Sequence, residues 1–296
     1  MIEKDKKLIF WILVTLFCVN IFAWSVVYDL NKPQFLEVSF FDVGQGDAIF
    51  IETPNNYQIL IDGGPTSAVL EKLGKEMPFW DRTIDLIVLT HPEHDHIAGL
   101  LEVLKRYKVD FILWSGVLKD TGEYKEWKKL IEDEDVKTKI AKIGQKILTP
   151  KIFFDVLHPF EDLEGKEVKN TNNTSIALRL VFNNNSFIFT GDLYKSIEKK
   201  LVDRGLYLNS DILKVGHHGS KTSTSEKFLE EVNPEIAVIS VGKENSYGHP
   251  HPEVLDILDK YDIKVLRTDR DGDIKIFSDG ENLKILNPKY YGISSF

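Results

Sequence analysis

The chain has 296 residues, 43% of them hydrophobic and 28% charged, the make-up of a globular protein and not of a disordered tail. Its formal net charge of −9 argues against a broad, sequence-blind grip on nucleic acid, although a local basic groove or a bound cation would still handle a phosphate substrate. A single cysteine, Cys18, excludes a disulfide scaffold and thiolate zinc clusters.

The first element is an uncharged, mostly apolar run over residues 8–27. As a helix rising ~1.5 Å per residue it spans the hydrocarbon of a bilayer. Lys4, Lys6 and Lys7 outnumber Glu3 and Asp5 before it, which places the N-terminus in the cytoplasm and everything after Tyr28 outside. The competing reading is a cleaved signal peptide, with small residues at Ala23 and Ser25 spaced for a cleavage site. The length of the apolar run favours a retained single-pass anchor over residues 1–33. The rest, 34–296, reads as one domain without a linker or repeat.

In that domain β-branched and aromatic runs predict strands at 36–43, 48–53, 57–64, 85–91 and 110–114. Further runs fall at 151–158, 175–182, 186–192, 211–218, 236–242, 264–268 and 273–280, with a hairpin turn at Asn183-Asn184-Asn185. Helical patterns lie between them at 66–76, 97–107, 123–133, 194–204, 224–232 and 252–261. The pattern of hairpins followed by alternating strands and helices predicts two β-rich layers packed together with helices outside.

The polar residues point to chemistry. Seven of the eight histidines fall in three short stretches at predicted strand ends: His91, His94 and His96; His217 and His218; His249 and His251. The first stretch, Thr90-His91-Pro92-Glu93-His94-Asp95-His96, mixes imidazoles and carboxylates that suit zinc, manganese or iron. Read blandly, it is a charged surface loop with acids capping the next helix. Asp62, before Gly63-Gly64, and Asp192, in Thr190-Gly191-Asp192, add carboxylates at strand ends, where burial requires a partner or a metal. His94 and His251 read as solvated, and His158 as structural.

In order and content these motifs resemble the metallo-β-lactamase superfamily. Within it the chain is similar to the hydrolase domain of the ComEC competence proteins, through Phe41-Asp42-Val43-Gly44-Gln45-Gly46-Asp47, Asp62-Gly63-Gly64, Asn172-Asn173-Thr174-Ser175 and Thr190-Gly191-Asp192. The stretches Lys214-Val215-Gly216-His217-His218-Gly219-Ser220, Tyr247-Gly248-His249-Pro250-His251-Pro252 and Arg267-Thr268-Asp269-Arg270-Asp271-Gly272 extend the similarity over nearly all of the chain beyond residue 36. The resemblance implies an α/β fold, a four-layer αββα sandwich, here preceded by one N-terminal transmembrane helix. It also implies two divalent ions, zinc or manganese. His91 and Glu93 would serve the first ion, with Glu93 standing where the superfamily motif has a second imidazole. Asp95 and His96 would serve the second, Asp192 would bridge, and one of His217 and His218 would close the site.

Asp62 is then expected to orient the His91–His96 loop by hydrogen bonds. Asn172 and Asn173 stand where the superfamily has a further histidine, and they read equally as a turn. Gly219 and Ser220 would hold a phosphate oxygen, and His249 is the candidate substrate-side ligand or proton donor. With Asp95 and Asp192 it completes the expected catalytic set. The function implied is a membrane-anchored phosphodiesterase or nuclease acting on DNA outside the cytoplasm by a metal-activated hydroxide, working beside a separate channel protein or degrading nucleic acid for nutrition or repair. Two alternatives stay open: a metallohydrolase of another ester, amide or thioester, and a catalytically decayed binding module.

Overall fold

A computed structural model describes residues 2–30 and 35–286. Ile2–Leu30 form a single helix, α1, as a unit of its own. Within it Asp5–Trp24 has a mean hydropathy of 2.0 and is long and apolar enough to cross a membrane. The expected boundary at residues 33 and 34 lies outside the described residues. The second unit begins at Phe35.

Six strands open that unit: β1 (Leu36–Phe40), β2 (Ile49–Glu52), β3 (Gln58–Ile61), β4 (Thr83–Leu89), β5 (Lys108–Trp114) and β6 (Lys137–Ile140). Next come β7 (Lys146–Thr149), β8 (Ile152–His158), β9 (Ala177–Phe182), β10 (Asn185–Phe189), β11 (Ile212–Lys214), β12 (Ile236–Ile239) and β13 (Lys264–Arg267). The last two, β14 (Ile274–Ser278) and β15 (Leu283–Leu286), return to the first sheet, whose order is β15-β14-β1-β2-β3-β4-β5-β6. The second sheet runs β13-β12-β11-β10-β9-β8-β7.

Three apolar cores make the layering. The inner faces of both sheets meet through residues such as Val38, Phe40, Ile51 and Ile61 on one side and Phe154, Leu180, Phe187 and Phe189 on the other. The outer face of the first sheet is covered by α2 (Ala68–Glu76), α3 (His94–Leu104) and α4 (Gly122–Asp133), packing Leu73, Leu100 and Trp127 onto it. The outer face of the second is covered by α5 (Lys195–Asp203), α6 (Glu226–Val232) and α7 (Pro252–Lys260) through Leu201, Phe228 and Leu258. This is the expected four-layer αββα sandwich. Because both faces of each sheet are covered, central strands such as β3 and β12 are buried along their whole length and read as near-continuous apolar runs.

The expected helices are present within a few residues of their predicted bounds. Three strands escaped the sequence reading: β6, β7 and β15. All are sheet edges, and β6 and β7 carry exposed residues among their alternating ones, Lys137, Lys139 and Lys146 among them. Edge strands are blunted with charge, which erases the apolar signal that marks a strand. The predicted strand 211–218 also stops early. After Lys214 the chain turns sharply, with His217 and His218 both in the left-handed region at φ 51° and 55°.

Two parallel groups aim their carboxyl ends at one another: β3 to β6 in the first sheet and β10 to β13 in the second. Ligands in α/β proteins bind at such ends. The loop after β3 is locked to α3 by a close backbone approach, where a Cβ on Gly99 would sit 1.8 Å from the carbonyl oxygen of Gly63. Gly→Ala inside a helix ordinarily stabilises by about 1 kcal/mol. Here the clash reverses the sign, and Gly99→Ala should lower the urea unfolding free energy by about 1–3 kcal/mol.

Candidate metal centre

Each functional side chain in the cleft stands where a strand gives way to a loop. Asp62 follows β3, Thr90 and His91 follow β4, and Asp95 and His96 open α3. Asp192 follows β10, and His217 and His218 follow β11. The two sheets therefore contribute opposite halves of one site.

Asp62 is fully buried and organises the first half. Its carboxylate accepts hydrogen bonds from the Thr90 amide at 2.8 Å, the Thr90 hydroxyl at 2.7 Å and His96 Nδ1 at 2.8 Å. The Thr90 hydroxyl spends its proton on Asp62, so at 3.0 Å it accepts one from His91 Nδ1. With Nδ1 protonated in both rings, His91 and His96 turn Nε2 lone pairs into the cleft. His218 is set the same way by the Ser240 carbonyl, 2.9 Å from its Nδ1.

The atoms aimed inward find no partner. His91 Nε2, His96 Nε2, His218 Nε2 and Asp192 Oδ1 are buried without a hydrogen bond. Asp192 lies between the rings, 3.4 Å from His96 Nε2, 3.6 Å from His218 Nε2 and 3.8 Å from His91 Nε2. Asp95 approaches His218 Nε2 at 3.2 Å. Four groups of three carry ligand atoms close enough to share an ion among the described residues: His91 with His96 and Asp192, Asp95 with His96 and His218, and two that include the buried Asp47, with Asp192 and His218 and with Asp62 and His96. Buried polar atoms are nearly always paired, so this many orphans of one chemistry fit divalent cations and little else.

The electrostatics agree. Burial disfavours the charged form of Asp192, yet the imidazoles of His218, His96 and His91 outweigh it and hold its pKa well below the usual range. Burial likewise opposes a charge on His218, but Asp192, Asp47 and Asp95 raise its pKa to about 10, so that without a cation the ring itself carries the positive charge and its Nε2 holds a proton where a metal would bind. His91, buried and beside His96, is pushed down to about 3 and stays neutral. The cleft thus concentrates carboxylate charge that demands a cation.

Not every expected residue converges. Glu93 turns away, its carboxylate taken by Lys119 and Thr171, and it belongs to none of the ligand groups among the described residues. His217 stands at the rim, Nε2 3.7 Å from Asp192 and 3.3 Å from the Asn172 amide, with Nδ1 on Thr222. Asn172 also reaches Asp192 at 3.5 Å, and the buried Asn173 Oδ1 is unpaired. Gly219 backs onto Pro250, 2.6 Å from where its Cβ would be, and the Ser220 hydroxyl pairs with that of Thr222 at 3.0 Å. His249 lies beside His217, ring centres 5.6 Å apart, with a buried, unpaired Nδ1. Burial and the neighbouring His217 and His218 hold its pKa near 4, so it is neutral and suits a hydrogen bond to substrate better than proton donation.

His94 is exposed beside Glu123 and His158 is buried on the Ser175 carbonyl, as their sequence context suggested, whereas His251, read as solvated, is half-buried and caps α7. Asp47 and Lys214 were missed as a pair. They form a fully buried salt bridge joining the loop after β1 to β11, and Asp47 Oδ1 lies 3.4 Å from His218 Nδ1. Their motifs stand out in the sequence, but nothing local shows that residues so far apart meet.

With this geometry in place, the family is clear: the chain belongs to the metallo-beta-lactamase superfamily, whose profile matches residues 41–243, and it is by fold and family a metal-dependent hydrolase. Among curated proteins it is similar to ComE operon protein 3 of Bacillus subtilis, 34% identical over 257 residues that cover 81% of this chain and 32% of that protein. Competence protein ComA of Neisseria gonorrhoeae is 32% identical, over 79% of this chain and 31% of that one. Recombination protein 2 of Haemophilus influenzae is 30% identical, over 89% and 31%. The chain spans about a third of the length of these relatives. Solved structures share the fold: the metallo-beta-lactamase fold protein YhfI of Bacillus subtilis aligns with a TM-score of 0.55 at 15% identity, over 83% of this chain and 100% of that one. CmlA, a diiron beta-hydroxylase of Streptomyces venezuelae, aligns with 0.52 at 14%, over 86% and 55%.

Two outcomes test the ligand assignment. Asp62→Asn cannot accept all three bonds and should weaken metal binding about 10–100-fold in calorimetric titration while the circular dichroism holds. Glu93→Gln should leave the number of ions per chain unchanged by elemental analysis; loss of an ion would place Glu93 among the ligands.

Proposed function

We propose that the chain is a phosphodiesterase acting on DNA outside the cytoplasm, held at the membrane by α1. The observation that carries the hydrolytic reading is the set of unpaired inward atoms on His91, His96, His218 and Asp192. The DNA reading is supported by 30–34% identity to proteins named for competence and recombination. The partner proposed in the membrane is a separate channel protein.

In this reading Asp95, His96, His218 and Asp192 hold one divalent ion, zinc or manganese. His91 and Asp192 hold the second, with His217 and Asn172 at its open side. Ions bound there would supply a nucleophilic water at neutral pH and offset the charge gathering on a phosphoryl oxygen. The chain's own residues supply position. Asp62 and Thr90 keep two imidazoles in one tautomer and one orientation. Asp192, anchored through its amide on the Ser175 hydroxyl at 3.1 Å, presents its carboxylate to both halves of the site. His249 and the Asn172 amide face the space that a substrate phosphate would enter, as neutral hydrogen-bonding groups.

Asp192→Asn keeps the volume and removes the shared charge. It should abolish hydrolysis of a DNA oligonucleotide, by at least about a thousandfold, in a chain that remains folded. Full activity in that variant would overturn the two-ion reading, whereas tight metal binding by the natural chain with no cleavage of any DNA would move the reading to another ester or amide.

A further inference from the structure

Four aromatic rings run in sequence along the rim of the metal centre. Tyr194 stacks on His217 with centres 5.4 Å apart and planes 14° from parallel. His217 meets His249 edge to face at 5.6 Å, and His249 in turn carries Tyr247 at 5.7 Å and 23°. The two tyrosines end this series. Tyr247 is 70% exposed although one of its faces is covered by His249. Tyr194 borders a groove of about 780 Å³ that runs past Lys119, Lys169 and Asn170 to Asn172.

A tyrosine left this open beside a catalytic cleft forfeits burial that a core position would give it, and the rings behind it hold it rigidly. Rigid exposed rings are what unpaired bases stack on, because every base offers a flat face whatever its sequence. The charge on the chain argues in the same direction. A protein with a net charge of −9 gains little from general attraction to phosphates, and Lys119 at the groove is already tied to Glu93. With Lys169 the other lysine lining the groove, most of the binding falls to the metal centre and the rings. A base inside a duplex has both faces occupied by its neighbours and cannot use them.

We infer that Tyr194 and Tyr247 stack unpaired bases on either side of the metal centre, so that the site takes a single strand or a frayed end and not the interior of a duplex. This rests on the phosphodiesterase reading above and adds the residues that select the strand. The stacking leaves the reacting phosphate over His91, Asp192 and His218, with His217 and His249 serving as the floor between the two tyrosines.

The test uses the full chain in detergent with manganese or zinc, and three labelled substrates: an oligothymidylate, the same backbone without bases, and a duplex. The natural chain should cut the base-bearing strand about tenfold or more faster, in kcat/KM, than either the abasic strand or the duplex. Tyr247→Ala and Tyr194→Ala should each bring the base-bearing to abasic ratio down severalfold, and Tyr247→Phe, which keeps the ring, should restore it. Cleavage of all three substrates at similar rates, or a ratio untouched by both alanine variants, would overturn the stacking inference and leave the phosphodiesterase reading standing. Failure to cut any of the three would overturn both.

Discussion

The buried carboxylate of Asp62 is the constraint on which the site depends. It sits at the end of β3, beneath the metal centre and out of reach of water, and by itself such a charge would be costly. Three donors compensate it, and in doing so they fix what the cleft presents. His96 is bound to it directly, and His91 is bound through a Thr90 hydroxyl whose one proton is already committed. The tautomers of two imidazoles therefore follow from one carboxylate. Desolvation pushes the Asp62 pKa upward against the pull of His96, so burial works against the charge and the three donors are what oppose it.

The rest of the fold brings the second half to meet the first. The inner apolar core holds the sheets face to face, and their parallel ends then lie across a narrow gap. The buried Lys214–Asp47 pair ties the two sheets together directly under His218. Breaking one partner of such a pair would leave an uncompensated charge in the interior, so its value lies in registering the sheets more than in net stability. Close backbone approaches at Gly63, Gly99 and Gly219 serve the same end, since each lets a ligand-bearing loop pack where a side chain would hold it off.

Much of this was legible in the sequence, for identifiable reasons. Central strands and helices carry their periodicity openly because both faces of each sheet are buried. Edge strands β6 and β7 do not, because exposure replaces apolar residues with lysine and other polar groups, and β15 offers only four residues, Leu283–Leu286. In the site, His91, Asp95, His96, Asp192 and the His217–His218 pair stood out by clustering at strand ends. Which of the two adjacent histidines faces inward could not be read from strand alternation, since the chain leaves the strand at Val215 and both residues take left-handed conformations. Glu93 looked like a ligand by position alone; the lysine and threonine that claim it are 26 and 78 residues away. The surroundings of Gly219 and Ser220, Pro250 and Thr222, are likewise set by tertiary packing.

The account stands or falls on whether divalent ions sit among the unpaired atoms of the cleft. Anomalous diffraction at the manganese and zinc absorption edges, from crystals of the loaded chain, reads this directly. Peaks are expected bounded by His91, His96 and His218 Nε2 with Asp192 between them, and none at Glu93. An empty cleft in a chain that binds metal, or a peak seated on Glu93 with Lys119 displaced, would contradict it.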